Sequence, residues 1–205
     1  MYVPQHFAEN DPAWQIDAIR RDPFGVITSL VDGALMATHL PFLIEPGEGP
    51  NGTIHAHMAR QNPQWKSFDG RAEALIVFSG PHGYISPTWY EKPALAVPTW
   101  NYVAVHVYGK PVVVEDPART RAHLSHLAGT FEGDGEGRWA MADQPEGFID
   151  GMLRGVVSFA MPIARIDGKA KMSQNRGIED RNRVMAALRA RGETALADAM
   201  DAAKT

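Results

Sequence analysis

The spacing of apolar and polar positions changes several times along the chain, and each change marks an element. Trp14, Ile16, Ala18 and Ile19 give one apolar side to a short helix that ends near Asp22-Pro23. Asp11 and Pro12 open it as N-cap and first helical residue, where the N–H that proline lacks would have no partner anyway. The pattern then turns β-branched and apolar over 24–30 and 34–44. Between them stands Asp32-Gly33, a dipeptide that favours a tight hairpin. Further strands are predicted at 52–58, 72–79, 83–86, 97–107 and 110–114, with a turn at 45–52. Helical spacing returns at 118–131, where Ala122, Leu124, Leu127 and Ala128 share a side, and a polar, acidic loop follows. Then come a helix at 145–153, a long strand at 156–166 and helices at 178–191 and 194–203. Strands that follow one another without long intervening helices predict a mainly β, largely antiparallel sheet, closed or half closed into a barrel, with helices attached.

Composition narrows the function more by exclusion than by hint. The chain has 205 residues, 44% hydrophobic, with net charge −4. One domain over 1–205 is expected, with no general field for drawing in nucleic acid or anionic lipid. Zero cysteines exclude disulfides and thiolate chemistry. No apolar run is long enough to cross a bilayer, and the first residues lack a cationic start and apolar core, so a cytoplasmic location without membrane attachment is expected. Nucleophile elbows, phosphate loops and dinucleotide fingerprints are missing. Arg176, Arg181, Arg183, Arg189 and Arg191 make the C-terminal region basic, but Glu179, Asp180 and Glu193 dilute it, and a direct DNA contact is not expected.

Three stretches carry chemistry. His55 and His57 lie two apart in a predicted strand and share a face. Zinc could use such a pair with His39 or His106, yet no carboxylate or further histidine stands at a local ligand spacing, and no metal is expected. Arg60 and Asn62 follow at the strand end, where a guanidinium fork suits a phosphate. Residues 84–108 hold four of the five tyrosines and two of the five tryptophans, mixed with Ser86, Thr88, Thr99 and Asn101. Aromatic faces with nearby donors suit core, dimer interface or a planar heteroaromatic ligand. Lys171, Ser173, Gln174, Asn175 and Arg176 crowd cations, a hydroxyl and amides into one short stretch made to grip something anionic and rich in acceptors.

The segments MYVPQHF, ATHLPF, HMARQNPQW, VFSGPHGYISPTWY, VPTWNYVAVHVYG and KMSQNR, in this order from Met1 to about Arg176, resemble the PaiB family of FMN-binding negative transcriptional regulators. The resemblance implies an FMN-binding split β-barrel that is homodimeric, with FMN in the groove between two subunits. By analogy it gives Arg60 to the phosphate with Asn62 beside it, and Lys171, Ser173, Gln174 and Asn175 to the phosphate and ribityl end. His39, His57, Trp100 and Asn101 would line the ring or its edge. A regulator acting through a flavin-bound dimer is the leading expectation; an FMN-dependent oxidoreductase using reduced nicotinamide and a haem-binding split barrel are the alternatives.

Overall fold

The computed structural model describes residues 1–203. Its strands are β1 (Ala8–Glu9), β2 (Phe24–Val31), β3 (Ala34–Pro41), β4 (Leu43–Glu45), β5 (Thr53–Ala59), β6 (Ala74–Ile85), β7 (Thr99–Gly109), β8 (Val112–Val114) and β9 (Val156–Lys171). The α-helices are α1 (Pro12–Arg21), α2 (Pro117–Glu132), α3 (Glu146–Arg154), α4 (Ile178–Ala190) and α5 (Thr194–Ala202). The hydrogen-bonded strand order is β3-β2-β6-β7-β9-β5-β4, with β1 and β8 also pairing with β9. The pairings of β1, β8 and β5 with β9, and of β2 with β3 and β4 with β5, are all antiparallel. Two compact units are interleaved in sequence. Met1–Asp22, Val77–His106 and the chain from Ile166 onward form the first; Pro23–Ile76 and Val107–Arg165 form the second. The expected single-domain range of 1–205 includes Lys204 and Thr205, which lie outside the described residues.

In the second unit, β2 and β3 form the expected hairpin, paired from Phe24↔Pro41 to Val31↔Ala34. Asp32 and Gly33 take φ of 50° and 81°, so both central turn residues are left-handed as a strand-matching two-residue turn requires. Pro41 has no N–H to extend the ladder and ends β3, which divides the predicted 34–44 strand into β3 and β4. Strand β5 alternates cleanly: Ile54, Ala56 and Met58 are buried with Phe42, Phe159 and Met161, while His55 and His57 face the other way. Helix α2 begins at Asp116, whose carboxylate accepts from the Ala118 N–H at 2.9 Å, and ends at Gly133 with φ 67°.

The first unit is built on α1, α4 and α5. Asp11 caps α1 through the Ala13 N–H at 3.0 Å, as the sequence predicts. Helices α4 and α5 bury Val184, Leu188, Leu196, Ala197 and Met200 together with Ile85, Tyr90, Val103 and Met172. Gly83 lets α5 come close: a Cβ there would sit 2.7 Å from Leu196 and from the Glu193 carboxylate. Arg181 is buried and donates to the carbonyls of Met200 at 2.6 Å and Ala203 at 3.3 Å, satisfying acceptors that the end of α5 leaves open. Two strands run longer than predicted. Residues 74–85 are continuous through Gly80-Pro81, and β9 continues past Ile166 to Lys171, the first residue of the polar stretch, whose remainder forms the turn that follows. Among the described residues no helix is long and apolar enough to cross a membrane.

Candidate functional site

The ten residues nominated by the sequence fall into two groups, one per unit. In the first unit, Asn101 is completely buried, and its amide donates to Ser173 Oγ at 3.0 Å and to Met200 Sδ at 3.3 Å. Ser173 Oγ donates back to Asn101 Oδ1 at 3.3 Å. Ser173 has φ of 59°, a conformation costly for a residue with a Cβ, and this exchange holds it there. Gln174 closes the same turn on itself, accepting from the Met172 N–H at 2.7 Å and donating to the Ala170 carbonyl at 2.6 Å. Three of the amides and hydroxyls assigned to a ligand thus have partners within the chain. Lys171 bonds Thr99 Oγ1 and, at 2.8 Å, the Trp100 carbonyl, which leaves one of its three donors for anything else. Partial burial lowers its pKa, opposed by Tyr102 and reinforced by Lys169. Asn175 is exposed, and Trp100 is 55% exposed with its ring edge to face with Tyr84.

The second unit keeps more of its chemistry open. Asn62 is engaged at both ends of its amide: it caps the short helix Pro63–Ser67 through the Gln64 N–H and donates to Thr38 Oγ1 at 2.9 Å. His39 is exposed and stacks on Phe24. Arg60 donates from Nε to the Arg154 carbonyl and from Nη2 to the Val156 carbonyl, both at 2.8 Å. That anchors one edge of the guanidinium and leaves Nη1 and its two protons available. Arg60 lines a cavity of about 540 Å³ with Trp65, Glu115, Thr120, Asp150, Arg154 and Ser158. Ser158 is 3% exposed, and its Oγ has no hydrogen-bond partner among the described residues. A buried hydroxyl without a partner costs stability unless a ligand or water meets it.

His57 is paired across β5 and β9 with Ser158. Its Nδ1 stands 3.4 Å from Nε2 of His123 on α2, with the rings edge to face. Burial lowers the pKa of His57. Burial, and then the neighbouring His57, His55 and His126, lower that of His123 to about 4. Both imidazoles are thus neutral near pH 7, as two ring nitrogens face to face require. His55 bonds Glu48 at 2.6 Å, and His126 meets Glu45 at 3.4 Å. His123, Trp65, Arg154 and Ser158 escape sequence reasoning. Only long-range strand pairing and the docking of α2 bring them to His57 and Arg60. Among the described residues, no three His, Cys, Asp or Glu side chains are arranged around a metal ion.

Residues 1–165 match the family described as "Putative FMN-binding domain". The chain is 31% identical to protease synthase and sporulation protein PAI 2 of Bacillus subtilis over 180 residues, covering 88% of this chain and 85% of that one. A solved flavocytochrome, Anf3 of Azotobacter vinelandii, superposes with a TM-score of 0.64 at 15% identity, covering 87% of this chain and 77% of that one. The FAD and haem binding protein of Mycobacterium smegmatis does so with a TM-score of 0.60 at 15% identity, covering 84% and 78%. Those two likenesses concern the fold, a largely antiparallel split barrel with helices. With a family match over most of its length and a relative at this identity, the chain belongs to the PaiB-like family of FMN-binding domains.

Proposed function

We propose that the protein binds FMN through the Arg60 cavity and works as a cytoplasmic, homodimeric negative regulator of gene expression whose state depends on that flavin. The observation that carries the site is the donor set of the 540 Å³ cavity, which lies within the usual range for small-molecule sites. Its chemistry fits the cofactor: Arg60 and Arg154 offer guanidinium groups to a phosphate, Thr120 and the unpartnered Ser158 offer hydroxyls, and Trp65 offers a flat face. The backbone carbonyls that hold Arg60 fix the direction of its free nitrogen and so reduce the ordering cost of binding. In the first unit Lys171, Asn175 and the exposed Trp100 are the nominated side chains with capacity left. Asn62, Asn101, Ser173 and Gln174 support the turns that carry them.

Bound flavin supplies the electron-transfer chemistry, while the protein holds and tunes it. The family membership supports FMN as the cofactor, and the name of the Bacillus subtilis relative, a protease synthase and sporulation protein, fits a role linked to sporulation. An oxidoreductase drawing on a reduced nicotinamide would use the same cofactor. Purified protein should be yellow and keep its flavin through gel filtration at the elution volume of a dimer. A colourless monomer indifferent to added FMN would defeat the proposal. Steady nicotinamide oxidation with an added acceptor would favour the enzyme, whereas a flavin-dependent change in expression without turnover favours the regulator.

A further inference from the structure

The second unit brings together one pair of side chains that the Arg60 cavity does not use. His57 on β5 and His123 on α2 are 66 residues apart in sequence, yet His57 Nδ1 and His123 Nε2 face each other at 3.4 Å, with the rings edge to face. As a hydrogen bond this is long, since N–H donors usually lie within about 3.2 Å of their acceptors. Two imidazoles are taken out of water for that one contact.

The separation suits a third atom held between the two nitrogens. Metal–imidazole bonds measure about 2.0–2.1 Å, and two ligands of a tetrahedral ion stand about 1.6 times that length apart, or about 3.3–3.4 Å. Both rings are neutral near pH 7, so each keeps a lone pair. With an ion between them, the ring protons sit on His57 Nε2 and His123 Nδ1. His123 also lines a hollow of about 360 Å³ with Glu45, His55, Arg119 and His126, which gives water access to positions the protein does not fill. Glu45 and Glu48 bring carboxylates to that side, and Arg119, 3.8 Å from Glu48, offsets only one of them.

The chelate that the sequence suggests is not the one that the fold makes. His55 shares a face of β5 with His57, but its Nε2 is taken by Glu48 at 2.6 Å. The second nitrogen comes from α2 instead. Imidazole nitrogens select borderline divalent ions such as Zn²⁺ over Mg²⁺ or Ca²⁺, and the chain has no cysteine to favour a softer ion.

We propose that His57 Nδ1 and His123 Nε2 chelate a divalent ion of the zinc class between β5 and α2, with water from the adjoining hollow in the remaining positions. Binding forms two coordinate bonds from imidazole lone pairs, displaces water from the ion and transfers no electrons. The ion pins α2 against the sheet. Neither histidine lines the Arg60 cavity, so this site stands whether or not that cavity holds FMN.

The test is a calorimetric titration of Zn²⁺ into the purified full chain after treatment with a chelator, with Co²⁺ as the spectroscopic probe. One equivalent should bind saturably and raise the melting temperature, because only the folded chain brings the two nitrogens together. His57→Gln and His123→Gln should each lose that equivalent, whereas His6→Gln, in the first unit, should keep it. His57→Cys is the rescue. Histidine Nδ1 lies close to the β-carbon, and a thiolate bonds zinc at about 2.3 Å against about 2.0–2.1 Å for nitrogen, so the sulfur reaches the same ion. Co²⁺ should then give a thiolate-to-metal charge-transfer band in the near ultraviolet, which the natural chain, without cysteine, cannot produce and a merely structural histidine does not lead to. No saturable equivalent in the wild type, several weak ones in place of one, or wild-type affinity in either glutamine variant would overturn the proposal. Should the glutamine variants fail to fold, His57→Cys decides: the band at one equivalent supports the site, and a folded His57→Cys chain that binds no Co²⁺ removes it. FMN content, measured in the same samples, succeeds or fails separately.

Discussion

The turn around Ser173 in the first unit and the face that carries Arg60, His57 and Ser158 in the second are both rich in polar side chains, and they use them in opposite ways. In the first, the buried groups have partners within the chain: Asn101 and Ser173 exchange hydrogen bonds, and Gln174 ties down its own loop. In the second, a buried hydroxyl has no partner, two imidazoles are held neutral, and Arg60 keeps part of its fork free. Satisfied polar groups specify a structure, and an unsatisfied one that lines a cavity is a candidate for binding. The same residue types thus support turns in one place and, on the proposed reading, serve the site in the other. Accounting for partners, not composition, tells them apart.

The sharpest way to break this contrast is at Asn101. Replacing it with Ala opens a hole in a fully buried position and strands the Ser173 hydroxyl in its left-handed turn. A loss of about 3 kcal/mol in unfolding free energy is expected from a denaturant titration. FMN affinity should change little in the molecules that remain folded. A variant of normal stability that no longer binds FMN would move Asn101 from scaffold to site.

Acid comes next. His123 is depressed to about 4 and His57 is depressed as well, so between their unfolded value near 6.5 and the folded values the unfolded chain binds more protons. Stability therefore rises with pH across this window. It is fully present above about 6.5 and is lost as pH falls towards 4. For His123 the loss amounts to at most about 3 kcal/mol, reduced by its residual exposure. Melting temperature measured from pH 7.5 to 4.5 should fall for the wild type and flatten in His123→Leu. An equal slope in both proteins would show that the imidazole pair does not sense the pH.

Arg60→Ala should weaken FMN binding by about 1.5–3 kcal/mol if its free nitrogen meets the phosphate. Arg60→Lys should restore less than half of that, because a lysine cannot hold the carbonyls of Arg154 and Val156 and present a second edge together. Fluorescence titration of FMN measures both. Unchanged affinity in Arg60→Ala would remove this residue from the site.

Much of this fold is legible in the sequence because its signals are local. Asp11 and Asp116 cap their helices, Asp32-Gly33 turns the hairpin, and the alternation through 53–59 already separates core residues from the histidine face. Signals that mimic a break misled the reading. Gly80-Pro81 resembles a turn yet lies within one strand, and Asp167-Gly168 resembles a strand end although β9 runs through it to pair with β1. Gly168 is there for close approach, since a Cβ would lie 2.4 Å from the Glu9 carbonyl. The candidate site was legible only in part. Arg60 and His57 could be nominated from strand spacing, but nothing near position 57 announces position 123, and Ser158 looks like any serine in a strand until its lack of a partner is known.

Ser158 gives the smallest and most discriminating effect. Deleting a buried hydroxyl that has no partner removes a desolvation cost without removing a bond, so Ser158→Ala should leave the ligand-free protein unchanged or stabilise it by up to about 1 kcal/mol. If that hydroxyl serves FMN, the same change should weaken the flavin complex, and the difference in melting temperature between loaded and empty protein should shrink. The two measurements have opposite signs in one variant, which a general effect on packing cannot produce. If Ser158→Ala destabilised the empty protein and the loaded protein equally, the hydroxyl would belong with Asn101 and Ser173 as part of the scaffold, and the contrast between the two regions would lose its firmest mark.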